Sequence, residues 1–73
     1  MVSVSRPSSS ILSLDVDPLE MTVDATFKDG NSYHYENVSL PAINDVIHNQ
    51  NVSLGKFVNN SCINSELVSV TRL

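Results

Sequence analysis

The chain reads as a small α+β domain: an antiparallel β-meander, two short helices on one face, and a C-terminal strand, in the order β-β-β-α-α-β. Three observations predict this. Apolar and polar residues alternate from Leu12 to Val16 and again from Met21 to Phe27, the period of strands with one buried face. Lys28-Asp29-Gly30-Asn31 then interrupts the apolar pattern, a hairpin signal because Asp-Gly supplies the positive φ angles of a tight turn. After Ser39 the apolar spacing changes to three and four residues, which is the period of a helix.

Each element follows from local chemistry. Residues 1–10 end in Arg6-Pro7-Ser8-Ser9-Ser10; proline cannot donate to a ladder and serines favour turns, so this segment is a flexible arm or a frayed edge strand. From Ile11 to Asp17, Leu12, Leu14 and Val16 share one face, and Ser13, Asp15 and Asp17 share the other. Asp17-Pro18-Leu19-Glu20 is a turn with its first backbone angle preset by Pro18. Met21, Val23, Ala25 and Phe27 form the apolar face of a second strand. Ser32 to Val38 makes the third, with Tyr33 and Tyr35 opposite His34 and Glu36.

Ser39 is an N-cap candidate, and Pro41 suits the first turn of a helix. Leu40, Ile43, Val46 and Ile47 give that helix its apolar stripe, and Asn49-Gln50-Asn51 ends it. Ser53 caps a second helix carrying Leu54, Phe57, Val58 and Cys62. Leu67 to Leu73 is β-branched and apolar enough for a returning strand.

The 73 residues make one domain. A core of this size supplies only roughly 3–5 kcal/mol, so self-association into a homo-oligomer is expected to help. Four Lys and Arg stand against eight Asp and Glu, a net charge of −4. That disfavours a generic nucleic-acid backbone binder, which needs a basic stripe. Lys28, Lys56, Arg6 and Arg72 are scattered along the chain and suffice for a compact anionic ligand. One cysteine, Cys62, forms neither an internal disulfide nor a metal cluster. No apolar run is long enough to span a bilayer, and residues 1–10 lack the apolar core of a signal peptide. The expectation is a cytoplasmic protein without membrane contact. The Asn-x-Ser sequons at Asn37, Asn51 and Asn59 are then incidental.

Several residues have both a chemical and a plain structural reading. Ser53, Gly55 and Lys56 stand at a helix start, where free N–H groups bind anions and glycine admits a ligand close to the backbone. They equally describe a capped helix whose glycine relieves a tight connection. Tyr33 and Tyr35 share a strand face; one suits the core and the other suits stacking on a base. Asn59 and Asn60 carry amides able to read a base edge, and Asn64 reads better as a helix end. His34 and His48 lack partners at ligand spacing, so no metal or cofactor is expected. Asp15 and Asp17 belong to a solvated strand face. No serine sits in a nucleophile elbow, so no enzyme is expected.

The ordered set Ser9-Ser10-Ile11, Phe27 to Gly30, Tyr33 to Tyr35, Ser53 to Asn59 and Ile63 resembles the KTSC domain, a C-terminal extension of some lysyl-tRNA synthetases with free-standing bacterial and phage forms. The resemblance runs from about Ser8 to Leu73. Two departures stand out: Val38 and Pro41 are separated where the family joins them, and Leu14-Asp15 replaces a Tyr-Asp pair. The C-terminal end is also poorer in aromatic residues. The resemblance implies a non-catalytic, nucleotide- or nucleic-acid-binding domain. By analogy with small phage proteins that sequester cyclic oligonucleotide immune signals, it further suggests an anti-defence sponge acting in the host cytoplasm. On this reading phosphate sits at Ser53, Gly55 and Lys56, a base rests on Tyr33 or Tyr35, Asn59 and Asn60 read its edge, and Arg72 is a second cation. The alternatives are an RNA- or tRNA-binding accessory domain and a protein–protein adaptor.

Overall fold

A computed structural model describes residues 1–73. It contains one five-stranded antiparallel sheet in the order β1-β2-β3-β4-β5, with β1 Val2–Val4, β2 Ile11–Asp17, β3 Thr22–Phe27, β4 Ser32–Glu36 and β5 Ser69–Arg72. Between β4 and β5 run two helices, α1 (Leu40–His48) and α2 (Leu54–Val58). The expected α+β class and the β-β-β-α-α-β core are present. The N-terminal arm adds a fourth meander strand, pairing Val2 with Val16 and Val4 with Leu14 along the edge.

The register sorts residues onto two faces. Directly opposed residues in neighbouring strands share a face. One row runs Val2, Val16, Val23, Tyr35, Val70, and its companion runs Val4, Leu14, Ala25, Tyr33, Arg72. The middle members of these rows form the core together with Ile43, Val46, Leu54, Phe57, Val58 and Cys62 from the helical layer. The intervening row, Ser3, Asp15, Asp24, His34, Thr71, lies on the opposite, polar face. There His34 Nδ1 pairs with Asp24, and the Ser3 hydroxyl donates to Asp15 at 2.6 Å.

Two sequence expectations are corrected by backbone detail. Leu12 does not share the inner face with Leu14 and Val16, since it is 66% exposed. The ladder skips it, because Ile11 opposes Phe27 while Ser13 opposes Thr26. This bulge reverses the alternation, so Ile11 takes the buried position instead. The Asp-Gly hairpin places a positive φ at Gly30 alone (94°), not at both residues. The Gly30 N–H donates to the Phe27 carbonyl, and the Phe27 N–H to the Asn31 carbonyl, giving a three-residue loop closed by a glycine bulge.

The helix ends also depart from a simple reading. Ser39 precedes α1 without a side-chain cap, whereas the Ser53 hydroxyl accepts from the Lys56 N–H at 3.4 Å and caps α2. α2 continues as a wider π-type turn over Asn59–Ile63, where the Asn64 N–H reaches the Asn59 carbonyl five residues back. The turn carries Cys62 into the core below Val58. β5 is shorter than the apolar pattern suggested and begins at Ser69. No helix is long and apolar enough to cross a membrane.

Candidate functional site

The helices are anchored toward the β1–β2 side of the sheet. α2 begins beside Ser10: a Cβ on Gly55 would lie 2.9 Å from the Ser10 hydroxyl. α1 is tied to the segment after β1 through Arg6. Above β4 and β5 the cover comes from the end of the π turn, and a cavity of about 400 Å³ opens there.

Three aromatic rings from the β3–β4 hairpin line this cavity: Phe27, Tyr33 and Tyr35. Cys62 and Ile63 come from the helix end, and Val68 and Val70 from the last strand and its approach. Asp29 contributes the remaining wall and the single charged side chain. Phe27 and Tyr33 meet edge to face, centroids 5.8 Å apart at 85°, while Tyr33 and Tyr35 are tilted by 35°. Tyr35 is the core member of the pair at 3% exposure, and Tyr33 is half-buried.

The hairpin loop gives the cavity a polar rim. The Asn31 N–H donates to Asp29 Oδ1 at 2.9 Å, and the Arg72 guanidinium donates to Asn31 Oδ1 at 2.7 Å. Asn31 therefore bridges an anion of its own hairpin loop and a cation of the last strand. Its backbone hydrogen bond, its side chain and the positive charge of Arg72 hold the Asp29 carboxyl below its ordinary value.

Of the expected site residues, the structure brings Tyr33, Tyr35 and Arg72 to one place. Ser53, Gly55 and Lys56 lie at the α2 start by Ser10, and Asn59 and Asn60 are exposed on the continuing helix; none of these five lines the cavity. The Lys56 N–H is taken by the Ser53 cap, and Gly55 permits the close passage of Ser10. These are the attributes of a capped helix at a tight crossing. Phe27, Asp29 and Ile63 fall within the motifs that carry the resemblance, but sequence reasoning did not name them as site residues. The hairpin signal at Asp29-Gly30 and the register that follows from it were the available clues.

A second hollow, about 520 Å³, lies between residues 2–7 and the end of α1, at Ile47 and at Gln50 just beyond the helix. Here Arg6 donates to the carbonyls of Val46, Asn49 and Val52 at 2.6–2.9 Å. This cation closes the C-terminus of α1.

Cys62 is chemically quiet. Burial pushes its thiol up to about 12, so little thiolate exists at neutral pH. It should resist iodoacetamide at pH 8 in the native protein and react once urea unfolds the chain. The raised value also sets a pH dependence. The contribution of the buried neutral thiol is complete below the unfolded value near 9 and is lost as pH rises toward about 12. Melting temperature should therefore fall through that alkaline window, and Cys62→Ala should flatten the decline.

No family model matches the sequence, and no curated protein matches it. Among solved structures, the crystal structure of a KTSC domain protein from Yersinia pestis is similar, with a TM-score of 0.70 and 23% identity, covering 99% of this chain and 96% of that one. The fold expected from the sequence resemblance is thus the fold observed.

Proposed function

We propose that the chain is a non-enzymatic binding module for a small nucleotide, held with its base in the aromatic cavity and its phosphate toward Arg72. The supporting observation is the pairing of an apolar, aromatic hollow with a charged rim. Pockets of about 300–1,000 Å³ with few polar groups are typical small-ligand sites, and this one is about 400 Å³. A base stacks on Tyr33, and the apolar walls and Asp29 keep phosphate outside.

The size favours one base per cavity. A cyclic oligonucleotide signal, the ligand of an anti-defence sponge, would lie across the rim or be shared between copies. Arg72 replaces the α2 start as the leading phosphate contact, because the Ser53 cap occupies the Lys56 N–H. RNA binding is less well supported, since Arg6 is engaged by backbone carbonyls and the cations form no stripe.

Thermal melting against linear and cyclic nucleotides and a short RNA tests the reading. Saturation at 100 times Kd adds about 2.7 kcal/mol, a rise of roughly 10–20 °C for so small a domain. Arg72→Ala should weaken nucleotide binding about tenfold, with Lys56→Ala having the smaller effect. A flat response to every nucleotide would favour the adaptor reading. The observation behind that second reading is the free edge of β5, whose Val70 is 59% exposed. A partner strand, or a second copy making a homo-oligomer, would add there.

A further inference from the structure

We propose that Asp29 reads the base held in this cavity, and that the base it selects is guanine. The inference rests on the nucleotide reading above and assigns its specificity. Asp29 is the one charged side chain in the lining, whose other hydrogen-bonding groups are the Tyr33 and Tyr35 hydroxyls and the Cys62 thiol. A tyrosine hydroxyl can donate or accept and so discriminates little between bases, whereas the carboxylate has one role only. An ionised carboxylate accepts and never donates, so it distinguishes bases by the donors they present.

Guanine presents two adjacent donors, N1–H and the 2-amino group, which match the two oxygens of a carboxylate. Adenine offers its 6-amino group beside an unprotonated N1, whose lone pair opposes the carboxylate. Hypoxanthine keeps N1–H and lacks the 2-amino group. The Asn31 N–H holds Oδ1 at 2.9 Å and fixes the carboxylate's direction. Two lone pairs per oxygen leave acceptor capacity on both atoms. Asp29, like any exposed aspartate, is ionised at neutral pH, and hydrogen bonding from Asn31 lowers its pKa further. Arg72, joined to the same loop through Asn31, supplies the opposite charge on the rim for the phosphate. The Asp29–Asn31–Arg72 chain thus pairs an acceptor for the base with a cation for the phosphate.

Calorimetric titration of the full chain with GMP, IMP and AMP tests this. GMP should bind about tenfold more tightly than IMP, the worth of one added charge-assisted hydrogen bond, and AMP more weakly still. Asp29→Asn should invert the order and favour AMP, because a carboxamide donates to N1 while accepting from the 6-amino group. That variant retains an acceptor for the Asn31 N–H, so its melting temperature without ligand should stay unchanged. Nucleotide binding without a guanine preference, or a preference that survives Asp29→Asn, overturns the inference and leaves the nucleotide reading intact. Failure of all three nucleotides to bind the unaltered chain at millimolar concentration removes both.

Discussion

Arg6→Ala is expected to lower stability by about 2–3 kcal/mol, a drop in melting temperature of roughly 10–20 °C. Arg6 is partly buried and donates to three backbone carbonyls: Val46 at 2.6 Å, Val52 at 2.7 Å and Asn49 at 2.9 Å. Those acceptors belong to the last turn of α1 and the loop beyond it, where the helix leaves carbonyls without internal partners. Hydrogen bonds from a charged donor are each worth about 1.5–3 kcal/mol, though not additively. The helix dipole adds attraction, and part of the loss is recovered when water reaches the freed carbonyls. Against the roughly 3–5 kcal/mol available to a domain this small, the change is large. Arg6→Lys keeps the charge and loses the planar fork, so it should fall between the two. Urea unfolding of the three proteins measures this. An Arg6→Ala midpoint equal to that of the unaltered chain would mean that the clamp holds nothing.

Arg6 also shows where sequence reading stops. Its partners are backbone carbonyls forty or more positions away in the chain. Acceptors of that kind leave no mark on residue type, so Arg6 looked like one more scattered cation. Strand periodicity, by contrast, was legible, because Val23, Ala25 and Tyr35 face a core that polar residues avoid. The pattern failed at Leu12 because a bulge changes parity without changing composition. The α2 start was legible as a helix cap, and its second reading as an anion site came from the same few residues. The cavity was illegible for a different reason. It arises where the π turn ends above β4 and β5, and its polar wall comes from a hairpin loop whose composition announces only a turn.

The two tyrosines separate folding from binding, and substitution at each should give opposite results. Tyr35 is 3% exposed and sits mid-row between Val23 and Val70, in the same core as Cys62. Truncating a buried aromatic costs about 3–5 kcal/mol, which is the whole stability expected here. Tyr35→Ala should therefore be largely unfolded at 25 °C by circular dichroism. Tyr35→Phe keeps the ring and should fold and bind normally, since no buried side-chain polar atom lacks a partner and the hydroxyl has no buried bond to lose. Tyr33 is half-buried and meets Phe27 edge to face. Its removal costs packing of about 1–2 kcal/mol and leaves most molecules folded. It also removes the stacking surface, so Tyr33→Ala should weaken GMP binding by about 1–3 kcal/mol. A folded Tyr33→Ala protein with full affinity for GMP would show that the cavity's base, if it holds one, does not rest on Tyr33. A folded Tyr35→Ala protein would show that the core tolerates the loss of its buried ring on β4.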